Sequence, residues 1–350
     1  MADIVDGNAY VDTDDITGGT DDATHGTGPG TDACKSLAYL MGTRVKTLTG
    51  ALTVYCKGTA ADTAAVTIGG HGATAIKSIT IKTDAADRHD GKWNTSKYRL
   101  EVAAAYCITL NTEDYVTIDG LQLKSSTNGT WQQTGGVHCY VGSDSSTIKN
   151  NLIWTVINQN SGDNFGILYD SYSASQTAYN NVVYMSGTGT PTTTGGIRAE
   201  HDSATISLYN NTVVLFVSNY SFGNTCTVVL KNNIANDSGT NGYLLGTGCT
   251  TTGSITNLSD KADTFGTSGI NSTDLTFVSP GTTAWDYHLA AGDTAAIGVG
   301  TNLTATFTTD IDGVTRPAVA AWDLGADQTV SAASALRLLA DKMGAMPTEI

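Results

Sequence analysis

Paired asparagines recur at a nearly fixed interval along the middle of this chain. The first three pairs are 30 residues apart and the fourth follows after 22. They are Asn150-Asn151, Asn180-Asn181, Asn210-Asn211 and Asn232-Asn233. Short β-branched or apolar runs flank each pair, such as residues 147–149 and 152–154 around the first. Because a fixed period of about 20 to 50 residues is typical of stacked repeat proteins, the sequence predicts a β-solenoid with one coil per repeat.

The asparagines are expected at the turns between strands. Asparagine tolerates left-handed backbone, and its side-chain amide hydrogen-bonds nearby backbone groups. When coils stack, such amides can also bond one another as a ladder. Asp119-Gly120 lies 31 residues before the first pair, so we interpret it as the same turn of the preceding coil, with the asparagines replaced.

The composition suits many short strands and turns. Of the 350 residues, 40% are hydrophobic and only 15% are charged, and 39 are glycines. The formal net charge of −15 would repel a nucleic-acid backbone, and no basic stripe offsets it, so nucleic acid is not an expected partner. No stretch has the length of a membrane span, and the first residues lack the pattern of a signal peptide.

Six cysteines are scattered through the chain, and no two lie within twenty residues of each other. This spacing contains no CxxC-type metal or redox motif. We therefore expect buried free thiols, with Cys107 and Cys139 stacked inside the solenoid because they are 32 residues apart. Synthesis in a cytoplasm is expected, and the protein would reach a virion or the cell exterior by lysis rather than secretion.

Four segments are predicted along the chain. Residues 1–45 contain a first strand, an acidic loop and a helix with apolar positions 34, 37, 38 and 41. Such a helix would cover the strand edges at the open end of the solenoid. Residues 46–265 form the coils, residues 266–328 close the solenoid with further strands, and residues 329–350 form a C-terminal helix and tail.

Two motifs near the end of the chain carry a resemblance to a known superfamily. Residues 310–317 read DIDGVTRP, and residues 323–326 read DLGA. Together with the coils, the opening strand and the cap helix, they resemble the pectin-lyase-like superfamily. The resemblance covers most of the chain and implies an all-β fold, a single-stranded right-handed parallel β-helix. It implies no one activity, since the superfamily includes polysaccharide lyases, hydrolases, epimerases and non-enzymatic viral and surface proteins.

The coil register predicts a candidate catalytic group on one outward face. Residues 136–140, 166–170 and 196–200 align at intervals of 30. Alternation along a strand would turn three side chains inward: Val137, Ile167 and Ile197. Asp170 and Glu200 would then be outward neighbours about 4.8 Å apart, with Arg198 on the same face. Two close carboxylates can divide the acid and base roles; the alternative is a solvated pair partly neutralised by Arg198.

A second outward row precedes the asparagine turns. It consists of Lys149, Tyr179, Tyr209 and Lys231, all of which are expected to face solvent. Two stacked tyrosines flanked by lysines suit a sugar ring or an acidic glycan. The alternative is an aromatic ladder that stabilises strand stacking without any ligand.

Two terminal regions carry further hypotheses. No cofactor is expected, although an acidic loop offers an oxygen-rich calcium site as an alternative. Its carboxylates are Asp12, Asp14, Asp15, Asp21 and Asp22. The C-terminal helix would either dock on a partner protein through Leu336, Leu339 and Met343 or cap the solenoid.

The function that these observations favour is structural. The absent signal peptide, the absent catalytic signatures and the low charge density predict a non-enzymatic protein of a virion or surface assembly. A phage capsid decoration or tail-associated protein, with or without carbohydrate binding, fits this description. The expected partners are other virion or surface proteins, a polysaccharide, or further copies in a homo-oligomer such as a trimer. The alternative is a polysaccharide lyase or glycoside hydrolase, a depolymerase using Asp170, Glu200 and Arg198.

Overall fold

Three parallel sheets run along the chain, and each coil contributes one strand to each sheet. The computed structural model describes residues 3–14, 21, 25–127, 132–158, 162–172, 175–191, 193–201, 204–223, 225–281 and 285–329. In chain order the strands are β1 (Gly7–Asp12), β2 (Leu52–Lys57), β3 (Ala61–Asp62), β4 (Val66–Ile68), β5 (Ile79–Thr83), β6 (Arg99–Ala103), β7 (Tyr106–Leu110), β8 (Val116–Asp119), β9 (Gln122–Ser126), β10 (Thr134–Cys139), β11 (Ser146–Lys149), β12 (Leu152–Val156), β13 (Asn164–Tyr169), β14 (Ser175–Tyr179), β15 (Val182–Ser186), β16 (Thr194–Ala199), β17 (Thr205–Tyr209), β18 (Thr212–Val214), β19 (Ser218–Phe222), β20 (Thr227–Lys231), β21 (Ile234–Asn236), β22 (Asn241–Leu245), β23 (Leu258–Ser259), β24 (Phe277–Ser279) and β25 (Asp286–Leu289).

The sheets follow the coil order. Sheet 1 runs β1-β2-β5-β8-β11-β14-β17-β20, sheet 2 runs β22-β19-β16-β13-β10-β7-β4, and sheet 3 runs β23-β21-β18-β15-β12-β9-β6-β3. From β2 onward each coil passes from sheet 1 to sheet 3 and then to sheet 2, while β24 and β25 form a separate antiparallel hairpin. This is the predicted right-handed parallel β-helix, so the fold class is confirmed.

The interior of the helix is built from stacked apolar side chains. Val137 pairs with Ile167 and Ile167 with Ile197, and all three are fully buried. The predicted inward register of sheet 2 is therefore confirmed. Sheet 1 has an equivalent inward row, in which Ile148 pairs with Ala178.

The asparagine pairs form turns and ladders as predicted. The first residue of each pair has a positive φ, for example 55° at Asn150 and 53° at Asn180. The second residue is buried in a ladder, in which the amide of Asn151 donates to Asn181 at 3.0 Å and Asn181 donates to Asn211 at 2.9 Å. The ladder continues through Asn233 to Asn257, so residues 255–257 do form a further turn. In the preceding coil, Gly120 has the same left-handed φ of 74°.

A short helical segment lies before the first full coil. It consists of α1 (Leu37–Tyr39) and a π-helical turn (Leu40–Arg44), and Leu37, Leu40 and Met41 are fully buried in the main core. Ser36 begins the segment, since its hydroxyl accepts a hydrogen bond from the Tyr39 N–H at 3.2 Å. The sequence places this helix correctly but begins it three residues too early. No helix among the described residues is long and apolar enough to cross a membrane.

Residues 271–329, called here the closing segment, pack on the outside of the β-helix. They build a second apolar core against the outward face of sheet 3, in which Trp154, Tyr184 and Trp285 meet. The outer asparagine row binds the same segment. The amide of Asn180 donates to the Thr309 carbonyl at 2.8 Å, and other members of the row bind Thr301, Asp323 and Gly325. Within this segment β24 and β25 match predicted strands, whereas the strand expected at residues 295–298 is a turn.

Two cysteines depart from the expectation of free thiols. Cys226 and Cys249 form a disulfide, while Cys34, Cys56, Cys107 and Cys139 are buried and free. The coils shorten to 22–24 residues at this end, so a separation of 23 places Cys226 and Cys249 one coil apart. The predicted stacking of Cys107 on Cys139 is also wrong, because Cys139 pairs with Leu110.

Candidate functional site

The outward face of sheet 2 is lined by polar and aromatic side chains. Its central row runs through three paired residues, in which His138 pairs with Leu168 and Leu168 with Arg198. The closing segment contacts sheets 1 and 3, as described above, whereas the outward residues of sheet 2 contact one another. We therefore call this surface the open face.

Asp170 is the centre of the open face. Its carboxylate contacts the His138 imidazole Nε2 at 3.2 Å and the His201 Nε2 at 2.5 Å. The ring of Tyr172 stacks on His201 with centroids 4.0 Å apart, and His138 meets the edge of Tyr140 at 5.3 Å. Asp170 is thus held between two imidazoles, each backed by an exposed tyrosine.

Glu200 and Arg198 form a second ion pair on the same face. The Arg198 guanidinium binds the Glu200 carboxylate at 2.8 Å and lies 4.9 Å from the ring centroid of Phe165. Asp170 and Glu200 occupy equivalent positions in successive coils, because their N–H groups bond the carbonyls of Cys139 and Tyr169. The structure therefore brings together the three residues that the sequence selected, but it gives each carboxylate its own partner.

Two buried hydroxyls lie beside these charges. Tyr106 packs against His138 with ring centroids 4.7 Å apart, and neither its hydroxyl nor that of Ser221 has a hydrogen-bond partner in the described structure. Burial raises the pKa of Tyr106, and the negative charges of Glu200, Asp163 and Asp170 raise it further. Ser221 pairs with Arg198 in the neighbouring strand. The open face thus has unsatisfied hydrogen-bonding groups beneath its charged surface.

Sequence reasoning missed both histidines and the three tyrosines of this cluster. His138 could have been found, since the same 30-residue alignment that selected Asp170 turns it outward. His201 follows the last aligned strand and is brought to Asp170 by a turn. Tyr106 belongs to a strand whose pairing skips one residue of β10, between Gly135 and Val137, so the repeat does not reveal its position.

The predicted glycan-binding row lies elsewhere and is partly covered. Lys149, Tyr179, Tyr209 and Lys231 are stacked in register as expected. Tyr179, however, stacks on Phe307 of the closing segment at 4.6 Å, and Tyr209 packs against the same apolar cluster. The expectation that the whole row faces solvent is wrong, because the closing segment folds over it. Glycan binding by these residues stays a prediction.

Two other predicted sites remain untested. Leu336, Leu339 and Met343 lie outside the described residues. Of the acidic loop, Asp15 and Asp22 also lie outside them. Asp12 pairs with Lys57 at 2.9 Å, and Asp14 accepts hydrogen bonds from the backbone of Thr59 and Ala60. Protein donors thus already engage these two carboxylates, and calcium binding stays a prediction.

Comparison with known proteins adds one structural likeness. No protein-family model matches the chain, and no curated protein sequence matches it. Among solved structures, the crystal structure of pectate lyase Pel9A is similar, with 12% identity and a TM-score of 0.33 over 93% of this chain and 97% of that chain. A likeness this distant carries no argument about activity, and the pectate-lyase-like right-handed parallel β-helix rests on the three stacked sheets.

Proposed function

We propose that this protein is a non-enzymatic structural β-helix of a virion or surface assembly, and that it binds polysaccharide through the open face of sheet 2. The observation that carries the binding role is the cluster of Asp170 with His138 and His201, bordered by Tyr140 and Tyr172. These two tyrosines are 45% and 53% exposed, so their rings are accessible to a ligand.

The chemistry of the open face suits a carbohydrate. A tyrosine ring offers an apolar surface to the face of a sugar, and its hydroxyl offers a hydrogen bond. Carboxylates, imidazoles and a guanidinium supply both acceptors and donors for sugar hydroxyls. Since the side chains already hold one another in place, little rotamer freedom would be lost on binding.

The ion pairs favour binding over cleavage. Acid–base cleavage of a glycosidic bond needs one group that holds a proton and another that is free to accept one. Glu200 is bound by Arg198 at 2.8 Å, and Asp170 is engaged by two imidazoles. The like-charge arrangement that the sequence suggested, with two carboxylates sharing one proton, is not what this geometry sets up.

A depolymerase is the second candidate function. The contacts of Asp170 with His138 and His201 support it, because imidazole–carboxylate pairs act as general acids and bases in many enzymes. In that case Asp170 and the histidines would transfer the protons, and Arg198 would stabilise a uronate carboxylate or a developing charge.

Binding to a panel of neutral and acidic polysaccharides tests the proposal. Substituting Ala for Tyr172 or His201 should weaken binding about tenfold, a loss of about 1.4 kcal/mol. Tyr115→Ala is the matched control, since Tyr115 is a 41% exposed tyrosine on the sheet 1 side. Absence of binding by the wild-type protein, or equal losses in all three variants, would contradict the proposal.

Product analysis separates the two candidate functions. The wild-type protein should bind without releasing new reducing ends or unsaturated sugars. Release of such products by the wild type, and their loss in the double variant Asp170→Asn, Glu200→Gln, would establish the depolymerase instead.

The assembly role rests on the sequence features given above and needs its own experiment. If residues 331–350 dock on a partner protein, their deletion should prevent incorporation into the particle while leaving the β-helix folded. Light scattering of the purified protein would show whether it is a trimer or a monomer. Full incorporation of the truncated chain would contradict docking through this segment.

A further inference from the structure

A histidine and two aspartates converge within the closing segment. His288 lies on β25, and Asp312 and Asp327 follow in the two motifs that end the described chain. One nitrogen or oxygen atom of each side chain lies within 4.8 Å of the others. This group is separate from the open face and takes no part in the proposed polysaccharide binding.

The imidazole of His288 is held in one orientation. Its Nδ1 contacts the Asp286 carboxylate at 2.5 Å, and its Nε2 faces Asp312 at 2.8 Å. Asp327 is held by the Leu289 N–H, which donates to it at 2.9 Å. Histidines that bind metals commonly donate their other ring N–H to a carboxylate, which fixes the ring and raises its basicity. Asp286 is placed to do this for His288.

Two further observations point to a space for a ligand beside His288. The Oδ1 atom of Asp312 is buried and has no hydrogen-bond partner in the described structure. Gly91, in the loop after β5, has a φ of 72° and faces the same atoms. A Cβ atom at this position would lie 2.3 Å from both Asp312 Oδ1 and His288 Nε2. Glycine therefore leaves open a space that a side chain would fill.

We propose that His288 Nε2, Asp312 and Asp327 bind a divalent transition-metal ion of the zinc and manganese class. One imidazole with two carboxylates suits these ions, whereas calcium prefers ligand sets made of oxygen alone. Two ligand atoms at right angles, each about 2.1 Å from such an ion, would lie about 3 Å apart. The 2.8 Å between Nε2 and Asp312 is close to that value.

The metal would replace a proton. Without metal, a proton on Nε2 bridges His288 and Asp312; with metal, the lone pair of Nε2 binds the ion and the proton passes to solvent. Asp327 lies beside the DLGA motif and Asp312 within the DIDGVTRP motif, so the ion would join both motifs to β25. Bound metal would thereby hold the closing segment in its folded position against the loop that contains Gly91.

Metal titration of the untagged full-length protein tests this proposal. After treatment with a chelator, the protein should bind one equivalent of Zn²⁺ or Mn²⁺, as measured by equilibrium dialysis and metal analysis, and Ca²⁺ should bind much more weakly. The bound ion should raise the midpoint of thermal unfolding, because it stabilises only the folded state. Absence of saturable Zn²⁺ and Mn²⁺ binding by the wild type would overturn the proposal, whatever the variants do.

Variants locate the site. His288→Gln and Asp312→Asn should each weaken binding by at least about tenfold. Gly91→Ala keeps every ligand but places a Cβ atom in the metal space, so it should weaken binding too. Asp6→Asn, an exposed carboxylate that accepts a hydrogen bond from Thr49, is the control and should bind like the wild type. Circular dichroism identifies variants that fail to fold. Equal affinity in the wild type and folded Asp312→Asn would show that the metal binds elsewhere and would overturn the assignment.

Discussion

Two outward faces of the same β-helix differ in what lies over them. The outward face of sheet 3 is apolar, with Leu152, Trp154 and Tyr184 in successive strands, and the closing segment covers it. The outward face of sheet 2 carries His138, Arg198 and other polar groups that bind one another. Both faces belong to the same coils and share one period. The difference shows that an apolar outer face of a solenoid must be buried by another segment, whereas a polar one can stay available for a ligand.

The outer asparagine row lies at the edge of the covered face. Asn180, Asn210 and Asn232 give their side-chain amides to carbonyls of the closing segment. Arg316 joins them, because its guanidinium binds Asn180 at 3.1 Å and is itself fully buried. The turns that hold the coils in register thus also attach the cover.

Truncation of the covered core should have the largest effect on stability. Trp285 is fully buried against Trp93, Trp154 and Tyr184. Trp285→Ala should lower the free energy of unfolding by about 3–5 kcal/mol, since it leaves a large cavity. Urea unfolding measures the change. Tyr140→Ala on the open face is the control, with an expected loss below about 1 kcal/mol. Similar losses in both variants would erase the contrast between the two faces.

Breaking the inner ladder should have the next largest effect. Asn181→Ala removes the acceptor of the Asn151 N–H and the donor to the Ile148 carbonyl, which lie 3.0 and 2.7 Å from the Asn181 side chain. Leaving these buried groups unpaired should cost about 2–4 kcal/mol in chemical unfolding. Ser207→Ala, on the outward side of sheet 1, should change little. A loss below about 1 kcal/mol in Asn181→Ala would mean that the ladder is not needed for register.

The aspartate at the replaced turn should make stability depend on pH. Burial alone would raise the pKa of Asp119, but Lys149, the Asn150 amide and Arg88 outweigh it and lower the pKa. A lowered folded-state pKa contributes stability above the unfolded pKa of about 3.9, and this contribution is lost as the pH falls through the folded value. Asp119→Asn should therefore be less stable than the wild type at pH 7, with the gap closing below about pH 4. A gap that stays constant from pH 7 to pH 3 would contradict this account.

A change on the open face should affect stability least. The His201 side chain is 29% exposed and contacts Asp170 and Tyr172. His201→Ala should lower the free energy of unfolding by less than about 1 kcal/mol. Its polysaccharide binding should nevertheless fall as proposed above. A large loss of stability would instead place His201 among the structural residues.

Local patterns explain which residues could be placed from the sequence. The inward direction of Val137, Ile167 and Ile197 follows from strand alternation and a constant coil length. The same rule made Asp170 and Glu200 neighbours, although they are 30 residues apart. Where the coil length changes, the rule fails, and Cys226 was therefore not matched with Cys249.

Long-range packing explains what could not be placed. The bond from Asn180 to Thr309 spans 129 residues, and no periodicity relates the two positions. The cover over Tyr179 and Tyr209, and the meeting of His288 with Asp312 and Asp327, depend on the same fold-back. Each of these contacts lies within or against an irregular segment, whose path is set by side-chain packing rather than by a repeat.

The sequence by itself determined the β-helix, its asparagine turns and the direction of most strand side chains, because these follow from a period of about one coil and a strand alternation of two. Only the tertiary structure decided which outward face is covered and which is open. Covering depends on where an apolar surface finds its partner, and here that partner lies more than a hundred residues away in the chain.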